Sequence, residues 1–150
     1  VKEDATMPTI EKLQGKNCYV CGKDNPDGLR IPFYYDGKCV TASFVPGDEL
    51  CGFEKVVHGG IIFSVADEAM MHLIWAKGLR AITAEVTIRF RNYAKTGEEL
   101  AVKAEIKEVT RHLIKAQSII KGTRGKIIAR AEGKFLPFSK KENEYFKKLF

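Results

Sequence analysis

Apolar and polar positions fall into three regimes along this chain. From Val57 to Gly78 (VHGGIIFSVADEAMMHLIWAKG) apolar residues occupy almost every side of a helix: Ile61, Ile62, Phe63, Val65, Ala66, Ala69, Met70, Met71, Leu73, Ile74 and Trp75. A helix over residues 59–77 would run roughly 27–29 Å. One so apolar has to be enclosed on most sides. Before it, Leu29–Tyr35 and Lys38–Val45 read as two strands around Asp36-Gly37, a strong hairpin signal. After it come four β-prone runs. Ile82–Asn92 sets Ile82, Ala84, Val86, Ile88 and Phe90 against Thr83, Glu85, Thr87, Arg89 and Arg91. Leu100–Val109 sets Leu100, Val102, Ala104 and Ile106 against Lys103, Glu105 and Lys107. Each of these two should have one dry and one wet face. Leu113–Gly122 and Lys126–Phe135 follow, joined by a Gly122-Thr123-Arg124-Gly125 turn.

An N-terminal helix or arm is predicted over 1–17, with Ile10 and Leu13 on one side. A C-terminal amphipathic helix is predicted within 138–150, carrying Tyr145, Phe146, Leu149 and Phe150. The order is therefore hairpin, long apolar helix, then an antiparallel meander of four strands. Helices do not alternate with strands, so the pattern is α+β rather than parallel α/β. The compact solution for 150 residues is a single domain over 1–150, with about six antiparallel strands wrapped around one long central helix.

Composition changes this picture little. Hydrophobic residues at 45% and charged residues at 29% describe an ordinary globular chain. Asp67, Glu68 and His72 inside the helix argue against lipid exposure, and the start has no apolar run like a signal peptide, so a cytoplasmic protein is expected. The net charge of +6 is spread along the chain. It allows an anionic ligand such as a phosphorylated cofactor. There is no basic stripe with interleaved aromatics, so nucleic acid is not an expected partner. Cys18-x-x-Cys21 has zinc or redox spacing. Cys39 and Cys51 lie too far apart to form a second close pair, so structural thiols and no metal are the expectation.

The chemistry concentrates on the helix. His58-Gly59-Gly60 opens it where backbone N–H groups have no internal partner, and those donors benefit from the helix dipole. Further in, Asp67 and Glu68 are carboxylates in an apolar setting, which raises a carboxyl pKa unless it is paired. Glu68 stands four residues before His72, a helix-face pairing distance. Donors for a developing oxyanion and an acid able to serve as base or nucleophile suit attack on a carbonyl.

The string VVHGGIIFSVADEAM, preceded by CYVCGKDNPDGL and followed by long strands, resembles the hotdog-fold acyl-CoA thioesterases over roughly residues 18–137. Within them it is most similar to the phenylacetate-pathway-like branch. The resemblance implies hydrolysis of an acyl-CoA thioester, with coenzyme A as part of the substrate and no separate cofactor. It implies Asp67 as the catalytic carboxylate, Gly59 as the backbone donor to the thioester carbonyl, and His58 as organiser of the turn. Thr83 matches a hydroxyl residue that helps place water across a dimer interface. Gly60, Cys51, Phe53, Glu68 and Met71 are expected to line the substrate site, and Arg89 and Arg91 to meet the phosphates of coenzyme A. Where many relatives carry Gln or Asn before HGG, this chain has Cys51 and Gly52. A homodimer or dimer of dimers with sites at subunit interfaces is implied, as is the alternative of a non-catalytic acyl-CoA-binding or sensing module.

Overall fold

The structure is a computed structural model and describes residues 15–148. The helix predicted over 1–17 lies outside the described residues except for 15–17, which form no helix, and Leu149 and Phe150 also lie outside them. Six strands form one antiparallel sheet: β1 (Tyr34–Tyr35), β2 (Val40–Phe44), β3 (Ala81–Phe90), β4 (Leu100–Val109), β5 (Ile114–Lys121) and β6 (Ile127–Pro137). The long helix α1 (Gly59–Ala76) packs against β2 through β6, and α2 (Lys140–Lys147) closes the described chain. No described helix is long and apolar enough to cross a membrane.

The helix sits close to the sheet because the sheet's inner face is built largely from small residues. Ala42, Ala104, Ala116, Ser118, Ala129 and Ala131 are all buried there, with Leu100, Ile114, Ile120 and Phe135 filling between them. From the helix, Val65, Ala69, Met70, Leu73 and Ile74 point into this layer and are fully buried. Ser118 is the polar member, and its hydroxyl donates to the Ala66 carbonyl at 2.9 Å. Gly133 is the tightest point. A Cβ there would stand 2.5 Å from a Phe135 ring carbon and 3.1 Å from Met70 Cε. Gly133→Ala is therefore expected to cost about 1–3 kcal/mol of stability as an overpacked core position, read as a lower midpoint in chemical denaturation.

The helix ends as its sequence signals. Gly78 has φ +76; its N–H bonds the Trp75 carbonyl and the Leu79 N–H bonds that of Ile74, a Schellman closure. α2 starts with a capping box between Ser139 and Glu142. Phe138 stacks on Phe146 and meets Trp75 edge-on, which docks α2 at the C-terminal end of α1.

Three expectations need correcting. The first strand shrinks from 29–35 to Tyr34–Tyr35, because Leu29 and Ile31 spend their N–H groups on the carbonyls of Tyr19 and Val20, and Arg30 between them has φ +52. The last four strands are not a simple meander: β4, β5 and β6 are, but β3 pairs with β6 at the far edge, giving the order β1-β2-β4-β5-β6-β3. Finally, β3 lacks a dry face. As an edge strand it leaves Ile82, Ala84 and Phe90 exposed and Val86 and Ile88 half-buried. It also changes phase. The β3–β6 register slips between Thr83 and Glu85, so Ala84 is an extra residue. Thr83 pairs with the buried Phe135, while Val86 and Ile88 pair with Gly133 and Ala131. Before the bulge odd-numbered residues face the helix, and after it even-numbered ones do.

Candidate active site around the central helix

His58 caps α1 with an extended-type backbone (φ −59°, ψ 133°). Its Nδ1 accepts the Gly60 N–H at 2.8 Å, satisfying one orphan donor of the first turn. Its carbonyl accepts from Ile61 and Ile62. Among the described residues no acceptor takes the Gly59 N–H, which stands at the positive end of the helix dipole. Gly60 is needed for close approach, since a Cβ there would lie 2.9 Å from His58 Nδ1. Gly59 has more room: an added Cβ would meet only ring carbons of Phe90, at 3.5 and 3.6 Å.

Two clefts meet at Gly59. One, of about 610 Å³, is lined by Gly52, Phe53, Val56, Val57, His58, Gly59 and Tyr93. The other, of about 390 Å³, has Ile62, Phe90, Arg91, Asn92, Tyr93, Ala94 and Ile128 alongside Val57 and Gly59. The loop that forms them is held by the Cys51–Val57 and Val56–Lys95 bridges, by the His58 N–H on the Leu50 carbonyl, and by the Val57 N–H on that of Ala94. Apolar walls around one open backbone donor are what an oxyanion site requires.

Asp67 is half-buried on the side of α1 that faces β3. Thr83 Oγ1 donates to its Oδ1 at 2.9 Å. Burial lifts this carboxyl above the ordinary aspartate range, and the Thr83 hydrogen bond offsets part of the rise. The bulge at Ala84 makes the contact possible, because plain alternation would have turned Thr83 outward with Glu85 and Thr87. Thr83→Val keeps a β-branched shape and removes the hydroxyl. It is expected to lower kcat/KM by about tenfold, the worth of one hydrogen bond to a charged group, with Thr83→Ser largely restoring the rate.

Gly59 and Asp67 of one chain do not converge. Eight residues of helix separate them, about 12 Å along the axis, whereas attack needs reacting atoms within about 3–3.5 Å. One chain alone therefore does not bring the two groups to a common reacting centre.

Glu68 points elsewhere. Cys21 Sγ donates to its Oε1 at 3.0 Å, Cys18 Sγ stands 3.3 Å from the same oxygen, and His72 Nε2 stands 3.2 Å from it. The helix-face pairing of Glu68 with His72 is thus present. Burial first, and then the neighbouring Cys18, pushes the Glu68 carboxyl up to about 8. Burial drives His72 down to about 3, so its imidazole is neutral, and Phe33 stacks on the ring at 4.2 Å. Hydrogen bonding from Cys21 and from backbone N–H groups lowers Cys18 to about 5, while Cys21 is raised by that sharing and by burial.

Residues 54–127 match the model of the thioesterase superfamily. By that match the chain belongs to the thioesterase superfamily. The "Putative esterase" of Archaeoglobus fulgidus is 40% identical over 81 residues, covering 53% of this chain and 51% of that protein. The chain spans about half the length of the curated relatives it matches. Among solved structures, the Escherichia coli PaaI protein of the phenylacetic acid degradation operon superposes with a TM-score of 0.69 at 22% identity, over 74% of this chain and 81% of that one. A Streptococcus mutans protein solved bound to acetyl-CoA also gives 0.69, at 17% identity, over 73% and 89%. At those identities the likeness establishes the hotdog fold.

On this thioesterase-superfamily scaffold the remaining expected residues divide. Phe53 and Arg91 line the clefts beside Gly59. Cys51 is half-buried at the base of the loop, and Met71 is half-buried on α1. Arg89 pairs with the exposed Arg130 in register, on the sheet face opposite the helix, so it is separated from Arg91 and the clefts. Tyr93, shared by both clefts, was not foreseen as a site residue, and neither was the convergence of Cys18, Cys21 and Glu68.

Proposed function

We propose that this chain hydrolyses acyl-CoA thioesters at sites formed between two copies of itself. The Gly59 N–H of one copy polarises the thioester carbonyl, and Asp67 of the other, held by its own Thr83, activates water or attacks directly. The observation that carries the reading is the open N–H at the head of α1, set between an apolar cleft and one carrying Arg91 and Asn92, in a thioesterase-superfamily fold. The acetyl-CoA held by the Streptococcus mutans neighbour supports a coenzyme A thioester as substrate class. Arg91, in the cleft beside Gly59, is placed to meet its phosphates. The homodimer is supported by the unpaired, ten-residue edge of β3, with half-buried or exposed Val86, Ile88 and Phe90 along its helix-facing side. A long apolar strand edge of this kind is normally covered. A cytoplasmic location belongs to the same reading.

The test is release of free coenzyme A from short, medium, long and aryl acyl-CoAs, followed by chromatography because the chain carries four thiols. Turnover with at least one acyl class is expected. The absence of a side-chain amide at Cys51 and Gly52 favours the acyl-CoA-binding alternative, and saturable binding with no turnover across the panel would establish that reading instead.

A further inference from the structure

The most concentrated cluster of metal-binding atoms lies away from the Gly59 clefts, where the turn at Cys18–Gly22 meets the middle of α1. Cys18 Sγ, Cys21 Sγ and a Glu68 oxygen all lie within 4.8 Å of one another. His72 Nε2 adds a nitrogen 3.2 Å from that same oxygen. Four donors at tetrahedral zinc distances would be separated by about 3.3–3.8 Å. Contacts of 3.0 and 3.3 Å to Glu68 Oε1 bring Cys21 and Cys18 close to that spacing, with His72 beside the three-residue group rather than within it. Two thiolates, one carboxylate and one imidazole are a zinc donor set rather than a magnesium or calcium one.

The turn itself closes tightly around Cys18. The Gly22 N–H closes on the Cys18 carbonyl at 2.8 Å. A Cβ on Gly22 would fall 2.4 Å from the Cys18 nitrogen and 2.6 Å from the Lys16 carbonyl oxygen, so only glycine allows the chain to fold back this tightly. Partners some fifty residues away on α1 complete the set. They are braced by Phe33 stacked on His72.

We propose that Cys18, Cys21 and Glu68, with His72 as the adjacent fourth donor, bind a zinc ion that clips the N-terminal turn to the central helix. The ion replaces the shared thiol and carboxyl protons, which are released on binding. Its role is structural. It fixes the turn of α1 that carries Asp67, whose own side chain points the other way, toward Thr83.

The test uses the whole chain, reduced, stripped with chelator and desalted. Zinc is titrated against a chromophoric competitor, and cobalt(II) is added separately. Tight binding of one zinc per chain is expected, with a higher melting temperature. Cobalt should give a near-ultraviolet thiolate charge-transfer band and tetrahedral visible bands. Cys18→Ser and Cys21→Ser should abolish the charge transfer and weaken zinc binding by orders of magnitude. Glu68→Gln should keep the charge transfer with altered visible bands, and Cys39→Ser should leave the zinc affinity and the cobalt spectrum unchanged. Circular dichroism on each variant separates lost ligands from lost fold. No zinc retention and no cobalt spectrum in the folded, reduced wild type would overturn the proposal. So would unchanged metal binding in the folded Cys18→Ser/Cys21→Ser double variant.

Discussion

Replacing Gly59 with proline is expected to lower kcat by about 10²–10³ while leaving the protein folded, because that is the worth of one oxyanion donor. The substitution suits this position unusually well. Gly59 is the first helical residue, where proline is well tolerated because its missing N–H had no intrahelical partner. His58 before it already has ψ 133°, the extended conformation that a following proline demands. The added side chain would approach only Phe90, at ordinary contact distance. A melting temperature near wild type with collapsed turnover is the expected pair of results. Gly59→Ala is the control, since it keeps the N–H and places a similar Cβ against Phe90; its kcat should fall far less. Equal losses in the two variants would assign the effect to crowding against Phe90 and remove Gly59 from the oxyanion role.

What could be read from the sequence follows from the range of the interactions involved. α1 was legible to within a residue because its signals are local: His58-Gly59-Gly60 at the start, a continuous apolar surface, and Gly78 in the left-handed region at the end. β4 was legible over its full length because one of its faces is buried under the helix. β3 was legible as a strand but not in phase. One extra residue, Ala84, reverses which side chains face the helix, and small or apolar residues on both sides of the alternation hide the slip. Its edge position was hidden as well, since pairing with β6 depends on the whole sheet. The same division runs through the site. Asp67 and the HGG turn are set by spacing along one helix. Their separation of about 12 Å also follows from helical rise alone, so one chain does not bring the two together. The Cys18–Cys21–Glu68 cluster could not be foreseen, because its halves meet only when the turn at 18–22 docks on α1.

Asp67→Asn is expected to reduce turnover by orders of magnitude, since asparagine keeps the size and the Thr83 contact but is neither base nor nucleophile. The more discriminating result comes from combining it with Gly59→Pro. Each variant alone has every site broken: one lacks the donor, the other the carboxylate. In an isologous dimer of one Gly59→Pro chain with one Asp67→Asn chain, the two lesions fall together in one site. The other site then joins an intact Gly59 to an intact Asp67. Co-expressing the two variants, so that chains pair at random, should restore roughly a quarter of wild-type activity per chain, because half the dimers are mixed and each carries one working site. Full-length mixed dimers separated by distinct tags should approach half. If the mixture stays as inactive as its components while mixed dimers are demonstrably present, Gly59 and Asp67 do not act in one shared site. The 12 Å between them within a chain would then leave at most one of the two in contact with the thioester.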